Sequence, residues 1–173
     1  MRKLKKFLKK NKSGFTLIEL VVYMGILTIL LGVLGSIFTE IVNVQLSSKS
    51  TSSVNQDGRY LLSKLLYDVK SSSNIVTPAT PGTQTNTMKI TINSIDYTYS
   101  VDSNSNLQVS YGVNQKDVLN SYDTSLSNVT FTRIGNGGST DTVRVSFTLT
   151  SRTRDKQGQQ PDSQSFATTL GNQ

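Results

Sequence analysis

The 173-residue sequence contains no cysteine and no histidine. The first absence removes disulfides, thiol chemistry and a lipidated N-terminal cysteine, though it assigns no redox compartment. The second removes His-based triads and His-ligated metals. No nucleophile has a base in sight and no paired acidic motif is present. The chain is therefore not read as an enzyme, and no catalytic residue, cofactor or metal is expected. Acid is missing from the start, and net charge is missing from the remainder. Met1 to Ser13 carries Arg2, Lys3, Lys5, Lys6, Lys9, Lys10 and Lys12 and no acid. Those seven of the 18 bases leave 11 against 11 acids, so the chain after Gly14 is formally neutral. The charge of +7 and the pI near 9.7 thus report topology. The excess sits on the N-terminal side of an apolar run, where the positive-inside bias holds it in the cytoplasm. No nucleic-acid partner is implied.

From Leu20 to Thr39 there is no charge at all. About 20 residues make roughly 30 Å of helix, which matches a hydrocarbon core. Three readings compete for this segment. A cleaved secretory signal would have a shorter apolar region ending at a small-residue site. Here Gly32, Gly35 and Ser36 lie inside a run that continues through Ile37, Phe38, Ile41, Val42 and Val44. A plain uncleaved anchor is the simpler alternative, but it has no use for the one acid at its mouth, Glu19. An ionised carboxylate costs on the order of 3 kcal/mol at the centre of a membrane helix, less near an interface.

The third reading comes from the stretch Gly14-Phe15-Thr16-Leu17-Ile18-Glu19-Leu20 behind its basic leader. It resembles the class III signal of type IV pilin-like proteins, in which a prepilin peptidase cuts between Gly and Phe on the cytoplasmic side. The resemblance implies processing at Gly14 and Phe15 and a new α-amino group on Phe15, with a reference pKa of ~8. In that family the amine is N-methylated, and the matching glutamate pairs with the amine of a neighbouring subunit. Glu19 would then find its partner only on docking into a fibre and would set the axial register. A glycine lets the peptidase reach the scissile bond. One departure is Ser36, which stands where many major pilins have a helix-kinking proline; that absence suits a minor subunit.

Beyond Glu40, which marks the outer edge of the apolar run, the pattern turns amphipathic. Val54, Leu61, Leu62, Leu65, Leu66 and Val69 recur on one helix face, with Arg59, Lys64, Asp68 and Lys70 largely on the other. Asp57, Arg59 and Lys64 are expected to be exposed, and Ser47 to Ser53 is poor in helix formers and open to fraying or bending. A helix from Phe15 to about Ser73 would be roughly 90 Å long. Ser71 to Ser73, Pro78 and Pro81-Gly82 end it and begin a linker. Strands are expected over Met88–Asn93, Ile95–Val101, Leu107–Tyr111, Val129–Ile134, Val143–Leu149 and Ser165–Leu170. Turns fall at Asn93-Ser94, Asp102 to Asn106 and Gly135-Asn136-Gly137-Gly138. The expected fold is α+β, a long N-terminal helix packed on an antiparallel β-sheet head, with Val143, Val145, Phe147 and Leu149 facing the helix. The expected organisation is a removed leader over 1–14, an apolar transmembrane or fibre-core helix over 15–43, an amphipathic helix over 44–75 and a β head over 76–173.

The order of parts is similar to the minor pilin and pseudopilin group that includes the J subunit of type II secretion and the W-type minor pilins. Leu61 to Lys70 followed by Asn74-Ile75 resembles that group's helix end. Asp117-Val118-Leu119 with Val129-Thr130-Phe131 resembles its central strand pair, and Val143-Arg144-Val145 with Thr168 to Asn172 its last strands. Gly171 stands where the group commonly has Arg. Other candidate sites are weaker. Asp102-Ser103-Asn104-Ser105-Asn106 has the first oxygen-ligand positions of an EF-hand loop, but Leu107 and Val113 replace the glycine and glutamate, so a polar hairpin turn is the reading. Arg152, Arg154 and Lys156 form a small basic cluster diluted by Asp155 and read as a solvated loop. Tyr97, Tyr99 and Tyr111 read as packing or cross-strand pairs.

Two functions follow from the resemblance. One is a minor pilin or pseudopilin, a single-pass cytoplasmic-membrane protein with its head outside, partnered by prepilin peptidase and other pilin subunits. The other is an adhesin or DNA-uptake binding protein that uses the same export route.

Overall fold

The computed structural model describes residues 14–134, 142–153 and 162–171. One helix, α1 (Leu17–Ser71), precedes nine strands. These are β1 (Asn74–Thr77), β2 (Gln84–Thr85), β3 (Met88–Ile92), β4 (Ile95–Val101), β5 (Leu107–Tyr111), β6 (Gln115–Val118), β7 (Thr124–Arg133), β8 (Thr142–Ser151) and β9 (Ser163–Gly171). The chain separates into two units, one ending at Val42 and the other beginning at Asn43.

The first unit holds the apolar part of α1. By length and composition it can cross a membrane, and none of its most apolar window is buried. The Thr and Ser hydroxyls within the apolar run are spent on the helix's own carbonyls. Thr28 donates to Met24 O, Ser36 to Val33 O and Thr39 to Ser36 O, each at 2.8 Å. These donors therefore add no unpaired polar group to a surface made for hydrocarbon.

In the second unit, the rest of α1 packs on two antiparallel sheets, an α+β arrangement consistent with a pilin-like fold. The strands divide as β1-β3-β4-β5-β6 and β2-β7-β8-β9, a division that the alternation of residues does not carry. The buried face of the helix runs Val54, Asp57, Gly58, Leu61, Leu65, Asp68, Val69, in steps of mostly three and four residues. Met88, Ile90, Tyr99, Leu107 and Val109 meet it from the first sheet. From the second come Phe131, Leu170 and the expected row Val143, Val145, Phe147 and Leu149. Each such apolar side chain contributes about 1.5–3 kcal/mol when fully buried. Gly58 lies where a Cβ would come within 2.2 Å of the Phe166 ring, which is itself stacked on Phe147 with centroids 5.5 Å apart.

Several expectations are corrected. Asp57, expected exposed, and Asp68, expected on the opposite face, are buried, because the spacing that buries Leu61 and Leu65 also places them on that face; Lys64, expected exposed, is half-buried. Leu66 is exposed and Leu62 half-buried. Ser47 to Ser53 stays helical: Ser50 and Val54 are buried, and Lys49 Nζ pairs with Asp123 Oδ2 at 3.3 Å. The linker contains two short strands: β1, where Arg133 Nη1 donates to the carbonyl of Ile75 at 3.2 Å and to those of Pro78 and Ala79 just after it at 3.2 and 2.8 Å, and β2, which pairs with β7. Asp117-Val118 and Val129-Thr130-Phe131 are not paired with each other. The former lie in β6 against β5, the latter in β7 between β2 and β8. Val143 to Val145 does pair with Thr168 to Leu170. Residues 1–13, the Gly135 to Gly138 turn, Arg154, Asp155, Lys156 and Asn172 lie outside the described residues.

Candidate functional site

The weaker candidates in the head that fall on described residues are accounted for by contacts within the fold. Asp102 Oδ1 accepts the backbone N–H groups of Asn104 at 2.9 Å and Asn106 at 2.8 Å, closing the β4–β5 turn on itself. The Asn106 backbone first, then its side chain and the Asn104 backbone, hold the Asp102 carboxyl below its ordinary range. This is the polar turn expected from the sequence. Arg152 reaches across to the same turn, donating from Nη2 to Asn104 O at 2.6 Å and Asn106 Oδ1 at 2.9 Å. Its guanidinium thus ties the end of β8 to the other sheet. Tyr97 and Tyr111 are Cα partners whose rings stack with centroids 5.2 Å apart. Tyr99 is fully buried. Burial, and then its hydrogen bond to Asp68, push its phenol well above the usual range.

The head also contains a polar clamp that residue types alone did not signal. Asp57 Oδ2 accepts from the Ser121 backbone N–H at 2.9 Å, from Ser121 Oγ at 2.7 Å and from Thr124 Oγ1. Asp68 accepts from Lys64 Nζ at 2.9 Å and from the Tyr99 hydroxyl. A buried carboxylate is tolerated only when so paired. The two acids fasten the helix to the loop before β7 and to β4.

The entry of α1 has a different character. Gly14, Phe15 and Thr16 precede the helix, so the peptide bond between Gly14 and Phe15 is outside regular hydrogen bonding. Gly14 is exposed, and a Cβ there would meet nothing within 4 Å. Packing among the described residues therefore does not require a glycine at this point. Thr16 caps the helix: its Oγ1 accepts the Glu19 backbone N–H at 3.3 Å, and its carbonyl accepts the Leu20 N–H at 3.2 Å. Thr16 and Glu19 have the spacing of a capping box. The Glu19 carboxylate instead accepts from the Tyr23 hydroxyl, one turn on, at 3.2 Å to Oε1. An acid in the first turn is favoured by the positive end of the helix dipole. The Thr-x-x-Glu pattern before an apolar run was the available signal for Thr16, and the i, i+4 spacing was the signal for Tyr23. Glu40 is exposed on α1. Among the described residues, no group of three or more acids is placed to hold a metal ion.

No curated protein and no solved structure matches the chain. A family model described as the prokaryotic N-terminal methylation motif matches residues 9–35. That motif marks the N-terminal segment as type IV pilin-like, a substrate of prepilin peptidase, and with the long apolar helix it fits a membrane-anchored pilin.

Proposed function

We propose that this chain is a minor pilin or pseudopilin, a structural subunit and not an enzyme. Prepilin peptidase cuts it after Gly14, the exposed α-amine of Phe15 is methylated, and the helix then packs among other subunits of a pilus, secretion or competence fibre. Before assembly it spans the cytoplasmic membrane once, with its basic leader inside and its β head outside. The observation that carries this reading is the combination at the helix entry: an unstructured Gly14–Phe15 bond followed within one turn by a capped Glu19, the one acid before a charge-free run. Two forces would drive assembly, transfer of the bare apolar face from lipid to neighbouring helices and pairing of Glu19 with the Phe15 amine of the next subunit.

Glu19→Val tests this directly. The variant should insert and be cut like the parent, yet stay in the membrane fraction when sheared fibres are collected. Normal entry into fibres would remove Glu19 from the assembly role.

A second reading, a surface adhesin or DNA-uptake head using the same export route, is favoured by one feature. An open groove between α1 and the first sheet is lined by Tyr60, Lys64, Tyr97, Tyr111 and Asp117. Substituting Tyr60 and Tyr111 separates the two readings: loss of ligand or DNA capture with intact fibres favours the binder.

A further inference from the structure

Phe15, Glu19 and Tyr23 follow at four-residue spacing along the helix entry. Tyr23 contacts both of the others. Its hydroxyl donates to Glu19 Oε1 at 3.2 Å, and its ring meets the Phe15 ring edge-on, with centroids 6.1 Å apart and planes at 76°. Glu19 is consequently half-buried, although Ile18 and Leu20 beside it are exposed. Around Tyr23 stand Val21, Val22, Met24 and Ile26, all apolar and exposed. Among the described residues, the polar partner of this phenol is the carboxylate one turn back.

We propose that Tyr23 is a positioning residue for Glu19. Its hydroxyl holds Oε1 and leaves Oε2, which has no donor among the described residues, to receive a cation. The proposal rests on the assembly reading above, in which that cation is the Phe15 α-amine of a neighbouring subunit. A free glutamate side chain must give up several rotamers when it pairs. A donor in the same helix fixes those rotamers beforehand, and in a low-dielectric setting that bond is stronger than in water. The Thr16 cap adds to the same end by fixing the turn that carries Glu19. Tyr23 thus gives the acid a partner while the subunit waits in the bilayer and an aimed oxygen when the next subunit arrives.

The test uses the full-length chain, co-expressed with its peptidase and partner subunits. The variants are Tyr23→Phe, Tyr23→Leu, Glu19→Gln and the double variant Glu19→Gln with Tyr23→Phe. Two quantities are read: the fraction of subunit in sheared fibres, and the isotope-edited infrared band of the Glu19 carboxyl in bilayers. Tyr23→Phe keeps the ring against Phe15 and loses only the hydroxyl. It should still be cut, lose about tenfold in the fibre fraction and shift the carboxyl band. In the Glu19→Gln background the same substitution should cost nothing more. Tyr23→Phe assembling like the parent, or costing the same in both backgrounds, overturns the proposal, as does a loss confined to Tyr23→Leu. Should Glu19→Gln itself assemble normally, the assembly reading fails instead. The infrared band then decides Tyr23 alone: a shift in Tyr23→Phe upholds the link to Glu19, and an unmoved band overturns it.

Discussion

Tyr99 is buried in the core of the head with its hydroxyl on Asp68, and its titration makes that contact measurable. The phenol is raised, by burial first and by Asp68 second. A raised group contributes stability that is complete below its unfolded pKa, ~10 for tyrosine, and is lost as pH climbs from there toward the folded value. Tyr99→Phe should cost about 1–3 kcal/mol at neutral pH, because a buried carboxylate loses a donor. It should also flatten the alkaline limb of a urea-unfolding series on the chain in detergent micelles; an unchanged limb would remove Tyr99 from that dependence. Both head acids were legible in principle. Asp57 lies three residues after Val54 and Asp68 three after Leu65, on the stripe that becomes the core. Reading them by residue type as solvated charges overrode the spacing. Apart from Lys64, one turn before Asp68, their donors, Ser121, Thr124 and Tyr99, are 31 to 67 positions away, and nothing local in a sequence names such partners.

At the level of elements, the second half of α1 is held by contacts of opposite quality at Ser50 and Gly58. Ser50 Oγ is buried without a hydrogen-bond partner among the described residues, which costs stability. Ser50→Ala should therefore raise stability by about 1 kcal/mol, helped by alanine's higher helix propensity. Gly58→Ala gains up to ~1 kcal/mol of propensity. It also drives a methyl into the Phe166 ring, which Phe147 backs, and such overpacking costs about 1–3 kcal/mol. The melting temperature should rise for the first variant and fall for the second; the reverse order would show that the helix is not seated as described. Elements fixed by local chemistry were legible. Asn93 and Ser94 both adopt positive φ, 49° and 65°, in a two-residue hairpin loop that pairs Ile92 with Ile95. Strands β1 and β2 were not, because they are only four and two residues long and carry no alternation, and the end of β6 was reached only through the resemblance of Asp117-Val118. Their pairing is set by partners, as when Arg133 gathers the carbonyls of 75, 78 and 79.

For the whole molecule, the sequence separates two kinds of surface that the structure keeps separate. One unit bears a bare apolar helix, and the other buries its apolar residues in a core of its own. The fold class was legible because periodicity changes from helical to alternating at the proline-containing linker. The division into two sheets was not, since it depends on which strands pair across long separations. The helix entry was read from seven residues, and the match to the methylation motif over 9–35 falls on that same segment. Thr16 and Tyr23 then add a geometry that the motif alone lacks. The proposed assembly, from processing to docking, requires a positive end that exists only after the leader is gone. Intact-protein and N-terminal fragment mass spectrometry of the subunit from its native membrane tests this most directly. The expected product is a chain beginning at Phe15 with one added methyl on its α-amine; a chain still beginning at Met1 would rule out cleavage after Gly14.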